Sequence, residues 1–347
     1  MNQPQASLSD RARKLARWSL FATLLAAVVI MLGAWTRLVD AGLGCPDWPG
    51  CYGFPDTPVE VEKGWPEMIH RYAAGTLGLV VFGLAGYALR HRREGLPVKL
   101  PLFIAGFIVL QGAFGMWTVT LKLWPQVVAL HLLGGFTTIT LLTLLTLRLR
   151  GRQSPPAQPD AAPARGFRPW LYGGLALVIM QIALGAWTAA NYAAVACPEL
   201  PTCEGQWWPA DMDFRHGFDI AQHVGPNYLG GQLTADGRVA IHVTHRLGAV
   251  LVLGYLGVLL ALMWRRFRGS HLGGHIQLVA MVLAAQIALG LANVAFHIPL
   301  SVAVAHNAMG AGLLLAVVNL LWRLREQPQT QAVNRPNTTT INREVTA

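Results

Sequence analysis

The chain has 347 residues, of which 53% are hydrophobic and only 13% charged, with a formal net charge of +10. A soluble domain carries about 25% charged residues, so the composition excludes an ordinary water-soluble globule and points to a polytopic membrane protein. The basic excess would suit a nucleic-acid binder, but it is confined to alternate loops; that excludes nucleic acid as a partner and makes the charge a record of membrane topology.

A bilayer span takes about 20 mostly apolar residues, and eight segments qualify. Residues 1–17, with Arg11, Arg13, Lys14 and Arg17, form a basic cytoplasmic N-terminus ahead of span 1 (18–38). That span is too long for the core of a signal peptide, and WTRLVD stands where a small-residue cleavage site would be, so it is expected to be retained. The loop 39–66 is acidic (Asp40, Asp47, Asp56, Glu60 and Glu62 against Lys63) and leads to span 2 (67–89), which is followed by Arg90, Arg92, Arg93 and Lys99. Spans 3 (101–121) and 4 (126–147) are joined by a tight turn around Lys122 and Pro125. A basic cytoplasmic linker, 148–168, follows, and its centre QSPPAQPDAAPA reads as a Pro/Ala-rich spacer. Span 5 (169–190) and span 6 (240–264) enclose a long outer loop, 191–239, containing HGFDIAQHVGPNYLGG, to which the sequence assigns no role. Arg265, Arg266 and Arg268 precede span 7 (274–295), which turns around His297 and Pro299 into span 8 (299–322). Residues 323–347 form a cytoplasmic polar tail, expected to be disordered after Glu326. Basic loops on one side place both termini in the cytoplasm.

The chain repeats itself. LGAWTRL (32–38) matches LGAWTAA (184–190) at an offset of 152, and the same offset carries Cys45 onto Cys197 and Cys51 onto Cys203. Beyond the outer loops the offset becomes 175: His70-Arg71 falls on His245-Arg246, Gln111 on Gln286 and His131 on His306. The change is an insertion in the second outer loop. The expected fold is therefore an all-α membrane protein with eight transmembrane helices, arranged as two tandem four-helix bundles (18–147 and 169–322) related by a pseudo-twofold internal repeat.

The four cysteines lie in outer loops as Cys45-x5-Cys51 and Cys197-x5-Cys203, each pair spanning prolines. Disulfide staples fit an extracytoplasmic compartment; metal binding or thiol redox exchange stay open beside them, although neither CxxC nor a His-Cys zinc spacing is present. Every even-numbered span carries a histidine at a matched position near one membrane face: His70, His131, His245 and His306. Facing neutral imidazoles in a helix bundle suit bis-axial ligation of a haem iron. The positions one turn later are small (Ala73-Ala74, Gly134-Gly135, Gly248-Ala249, Gly310), which would clear space for a flat porphyrin or simply for helix contact. His91, His271 and His275 are expected in or near solvated cytoplasmic loops; His216, His223 and His297 belong to outer segments.

The halves differ at one point. Glu67 aligns with His242, so the first half reads E-x-x-H-R and the second H-x-x-H-R. Glu67 shares a helix face with His70. Arg71 can pair with Glu67 or with a haem propionate, as Arg246 can with a propionate, or both can snorkel to the interface. Two unlike haem sites follow, one for chemistry and one for electron relay. A di-haem b electron-transfer cytochrome, which has no need for Glu67, and a non-catalytic haem carrier, which would tolerate loss of one histidine pair and yield unmodified haem, are the competing readings.

With GAWTRLVDAGLGCPDWPGC (33–51), EMIHR (67–71), LHLLGG (130–135), THRLGA (244–249) and AHNAMGAG (305–312), the chain resembles the heme A synthase family in its proteobacterial form over about residues 18–322. The resemblance implies an enzyme of the bacterial inner membrane that oxidises the C8 methyl of haem O to a formyl, through a hydroxylated intermediate, giving haem A for terminal oxidases. It implies that His70 and His131 mark the substrate haem site, that His245 and His306 hold a haem b cofactor, and that Glu67 is catalytic. The cysteines match the family's two pairs, and both haem sites lie toward the periplasmic side. By the same implication the expected partners are a haem O synthase and a terminal oxidase, with a homo-oligomer left open.

Overall fold

The computed structural model describes residues 3–53, 62–151, 165–221 and 227–324, with side chains from Asp10 onward. The Pro/Ala spacer 153–164, Asp56, Glu60, His223 and the tail beyond Leu324 lie outside the described residues. Eight long helices carry the fold: α1 Gln3–Leu38, α2 Gly64–Arg90, α3 Lys99–Thr120, α4 Pro125–Gly151, α5 Arg168–Ala190, α6 Ala235–Phe267, α7 His271–Ala295 and α8 Leu300–Arg323. Each is long and apolar enough to cross a membrane. Among the described residues no β-strand is formed. Lipid offers no hydrogen-bond partner, so a spanning segment must satisfy its backbone internally, and helices do so. Apolar side chains such as Leu79, Val250 and Val258 point outward and are well exposed, as lipid-facing residues should be.

Several helices overrun the spans read from hydropathy. α1 takes in residues expected as a separate N-terminal segment, and α6 extends the expected 240–264 at both ends. Leaving the hydrocarbon removes the need for apolar side chains, but it gives a helix no reason to stop. His271 and His275 lie in the first two turns of α7, next to the loop expected to be cytoplasmic, and His275 contacts Asn319 of α8.

α1 and α3 each pack on α2 and α4, and α6 and α8 each pack on α5 and α7. The two groups touch through α1–α8, α4–α5 and α4–α8. Two apolar clusters fill the end of the helices away from the cysteine loops. One is built on Leu15, Ile104, Ile139, Leu142 and Leu145, the other on Leu171, Leu256, Met263, Leu272 and Ile276. Lipid tails are as apolar as these side chains, so van der Waals fit and interhelical hydrogen bonds hold the helices together. One such bolt joins α1 to α4: Ser19 Oγ donates to the Leu142 carbonyl at 3.1 Å, and Thr146 Oγ1 donates to Ser19 Oγ at 2.9 Å.

The backbone turns alike at matched positions. Positive φ occurs at Asp40 and Tyr192, at Tyr52 and Glu204, and at Gly53 and Gly205, each pair 152 apart. The tight turns have positive φ at Lys122-Leu123 and at His297-Ile298, 175 apart. Each closes with the same bond, Leu123 N–H to the Thr118 carbonyl and Ile298 N–H to the Asn293 carbonyl, both 2.7 Å.

Candidate functional site

The site is built at the end of the helices that carries the cysteine loops. Both pairs are disulfides, Cys45–Cys51 and Cys197–Cys203, and no cysteine among the described residues is free. With their sulfurs bonded to each other, the cysteines offer no thiolate to a metal. Each staple sits on the first turns of the helix that follows. Gly44 passes so close to Lys63 that a Cβ would fall 2.0 Å from the Lys63 carbonyl oxygen, which admits only glycine.

Glu67 is buried at 4% exposure beneath the first loop. Its Oε2 accepts the Cys45 N–H at 2.8 Å and its Oε1 accepts from Arg71 Nη2 at 2.5 Å. Arg71 Nη1 reaches the carbonyls of Asp47, Pro49 and Gly50. In the second half His242, also buried, accepts the Cys197 N–H on Nδ1 at 3.3 Å. Arg246 donates to the carbonyls of Cys197 and Thr202 at 2.6 and 3.0 Å. Both arginines therefore clamp their disulfide loops, and Arg71 takes Glu67 as its carboxylate partner.

Beneath these clamps lie the histidines. His70, His131 and His306 are each the seventh residue of their helix, and His245 the eleventh. Every ring packs against a glycine of the preceding helix. A Cβ at Gly33 would lie 2.9 Å from His70 Cε1, and one at Gly115 would lie 3.2 Å from His131 Cε1. The same 3.1 Å separates a Cβ at Gly185 from His245 Cε1 and one at Gly290 from His306 Cε1. The His70 and His131 rings face each other with centroids 6.4 Å apart and planes at 89°. His245 and His306 occupy the matched positions in the second half, each 175 residues further on.

The donor set decides what these pairs could hold. Among the described residues no three His, Cys, Asp or Glu side chains converge as a metal cage. Two imidazoles alone suit an iron whose other ligands come from a macrocycle. Two metal–nitrogen bonds of about 2 Å, with the ring radii, span about the observed separation. The Nδ1 atoms of His70 and His306 are buried without a hydrogen-bond partner. The residues present fit haem.

Three further features were not singled out as site residues from sequence. The glycines follow a shared pattern, VIMLG (29–33), QGAFG (111–115), QIALG (181–185) and QIALG (286–290), and the signal is visible once the helices are aligned on the histidines. The glutamines of that pattern touch the histidines. Gly134 and Gly248, expected to clear space for a porphyrin or for helix contact, face Gln111 and Gln181 of neighbouring helices: a Cβ would lie 2.0 and 2.2 Å from the respective Oε1 atoms. The described parts of the long outer loop lean on the first half, with Gln126 Nε2 donating to the Ile220 carbonyl and Tyr228 N–H donating to the Lys122 carbonyl.

Fold and site together define a multi-pass membrane protein with histidine pairs suited to haem. The COX15-CtaA family model, described as cytochrome oxidase assembly protein, matches residues 16–318. The chain is similar to the heme A synthase of Shewanella oneidensis, 44% identical over 89% of this chain and 96% of that protein. It is also similar to the heme A synthases of Halalkalibacterium halodurans, 30% identical over 80% and 86%, and Caulobacter vibrioides, 28% identical over 91% and 98%. The chain belongs to the COX15-CtaA family of heme A synthases.

Proposed function

We propose that this protein is a heme A synthase, an enzyme that oxidises the C8 methyl of haem O to a formyl through a hydroxylated intermediate. Family membership across nearly the whole chain supports the activity. The one observation that carries the site assignment is the facing pair His70–His131 beside the buried Glu67. His70 and His131 bind haem O as substrate. A haem b held by His245 and His306 would supply a one-electron redox centre.

Glu67 is the carboxylate of the substrate half. His242 accepts the corresponding Cys N–H in the second half, so Glu67 brings to the first half a carboxylate that the second half does without. Oxidation of a methyl releases protons, and a carboxylate at this place can accept one or steady a developing positive charge. Arg71 holds Glu67 and ties the carboxylate to the loop. With this reading go the division into two four-helix bundles related by a pseudo-twofold, cytoplasmic termini, haem sites toward the periplasmic side, and a haem O synthase and a terminal oxidase as partners.

The test is mass analysis of haems extracted from the purified protein, expressed with and without a haem O supply. Haem b alone without supply, joined by haem O, its hydroxylated form and haem A with supply, is the expected result; haem b at two per chain in both cases would leave an electron-transfer cytochrome. Glu67→Gln keeps an acceptor for Cys45 N–H and removes the charge. It should retain haem b and accumulate haem O, and a normal yield of haem A would remove Glu67 from the chemistry.

A further inference from the structure

The two halves leave a cleft between them, toward the end of the helices away from the cysteine loops. It holds about 340 Å³ and is walled by α1 and α4 of the first half and by α7 and α8 of the second. Arg150 and Asn319 stand at its outer end, and Val282 and Gly312 at its inner end. Seven residues of α8 separate Asn319 from Gly312, so the cleft runs about 10 Å into the apolar span. Gly312 in turn lies six residues beyond His306, about 9 Å along the helix, which keeps the cleft apart from the histidine sites.

The lining suits an amphiphile. Leu278 and Leu315 make its depth apolar. Thr23, Thr143 and Thr146 also line it, but each hydroxyl donates within the protein, to the carbonyls of Ser19, Ile139 and Leu142 at 2.9, 2.8 and 3.0 Å. With those protons engaged, the wall offers a chain of methylenes a better fit than a polar ring that needs donors. The rim is cationic. Arg17 stands one turn before Leu20 of the cleft wall and Arg323 one turn after Asn319, so helical register adds both to Arg150 at the rim, and all three are exposed. The described carboxylates at this end, Asp10 and Glu94, pair with Arg13 and Arg11. The internal repeat does not carry the lining over. At the matched positions Leu278 and Val282 become Phe103 and Phe107, whose rings stack at 6.3 Å, and Asn319 becomes Leu144.

We infer that this cleft binds an anionic phospholipid, with its phosphate at the rim formed by Arg150, Arg17 and Arg323 and one acyl chain between the halves. Basic pockets between membrane helices take anionic headgroups in this way. Ligand sites enclose about 300–1,000 Å³, and a cleft at the low end of that range has room for one chain, leaving the second in the bilayer. Because the walls come from both halves, the bound chain fills the seam between them, and the lipid fastens the first half to the second. Nothing in this depends on the haem assignments.

The experiment is native mass spectrometry of the full-length protein purified in detergent, with the unfolding midpoint followed as lipid is added back. The parent protein should keep an anionic phospholipid through detergent washing. Dioleoyl phosphatidylglycerol should bind, and raise the midpoint, at about 10-fold lower concentration than dioleoyl phosphatidylcholine. Arg150→Gln should weaken phosphatidylglycerol binding about fivefold. Arg92→Gln, which removes a cation of the same end from the short helix Arg92–Glu94 between α2 and α3, should leave it unchanged. Leu278→Phe with Val282→Phe copies the residues of the repeat and should abolish lipid retention. Should that double variant fail to fold, the comparison of Arg150→Gln with Arg92→Gln decides alone. Equal binding of the two lipids, equal effects of the two arginine variants, or lipid retained by the folded double variant each overturn the inference. So does a midpoint shift given in full by inorganic phosphate, which would mark a simple anion site, or a co-purified quinone lost on filling the cleft, which would give it another occupant.

Discussion

At the scale of single residues the site is governed by contact with glycine. Four imidazoles lie edge-on to four helix backbones, and no side chain larger than hydrogen fits between them without movement. Overpacking of this kind costs about 1–3 kcal/mol, most of which here would be met by tilting the ring. Gly185→Ala should therefore yield folded protein with reduced haem b, measured as haem per chain by the pyridine haemochrome method. Full haem b content would show that the ring contact does not set ligation. Gly33→Ala is the more severe case, because its Cβ would fall at 2.9 Å from His70 Cε1. The histidines themselves are legible in sequence, since ionisable side chains in apolar spans are rare and these recur in register. The glycines and glutamines were harder to see: in a membrane helix a glycine is common and a glutamine is most simply read as polar decoration.

At the scale of elements, each cysteine loop and the helix beneath it form one unit. The helix sends an arginine up to the loop carbonyls, and the loop sends a backbone N–H down to the residue three before the histidine. Moving the loop thus moves the first turns of α2 or α6, and with them the ligand. In the first loop Asp47 adds a second tie, accepting from Tyr52 N–H at 2.8 Å and Gly53 N–H at 3.2 Å. The Gly53 bond, ahead of the others, holds the Asp47 carboxyl below its usual range. A depressed carboxyl contributes above its unfolded value of about 3.9 and loses that contribution as pH falls through the lower folded value. Reduction of Cys45–Cys51 by a trialkylphosphine should therefore be steady from pH 5 to 8 and faster only in stronger acid. Asp47→Asn should be faster throughout, and an unchanged rate at neutral pH would remove Asp47 from the loop's stability.

Across the whole molecule the two halves meet at Arg37. It occupies the position in α1 that Ala189 occupies in α5, and its Nη2 donates to the carbonyl of that same Ala189 at 2.6 Å. Its guanidinium lies 3.6 Å from the centre of the Tyr192 ring, with Asp40 3.8 Å away. A desolvated cation–π contact and a charged hydrogen bond together are worth about 2 kcal/mol or more. Arg37→Ala should lower the unfolding midpoint in detergent while each histidine pair keeps its local geometry. A parent-like midpoint would mean that the helix contacts α1–α8, α4–α5 and α4–α8 and the outer-loop bonds of Ile220 and Tyr228 hold the halves together without it.

The sequence by itself determined the membrane class, the eight spans, the internal repeat, the disulfide candidates and the four histidines. Those features are written in local composition and in spacings that survive without a fold: hydropathy over a span's length, charge on alternate loops, matched motifs at constant offset. Only the tertiary structure decided what Glu67, His242, Arg71 and Arg246 touch, because each reaches a loop some twenty or more positions away in the chain. It also decided that Gly134 and Gly248 make room for glutamines, that α1 continues beyond its apolar stretch, and that Arg37 crosses to the other half. These outcomes depend on which helix faces which. Hydropathy leaves that open, since in lipid every apolar face is equally at home and close fit between side chains chooses the partner.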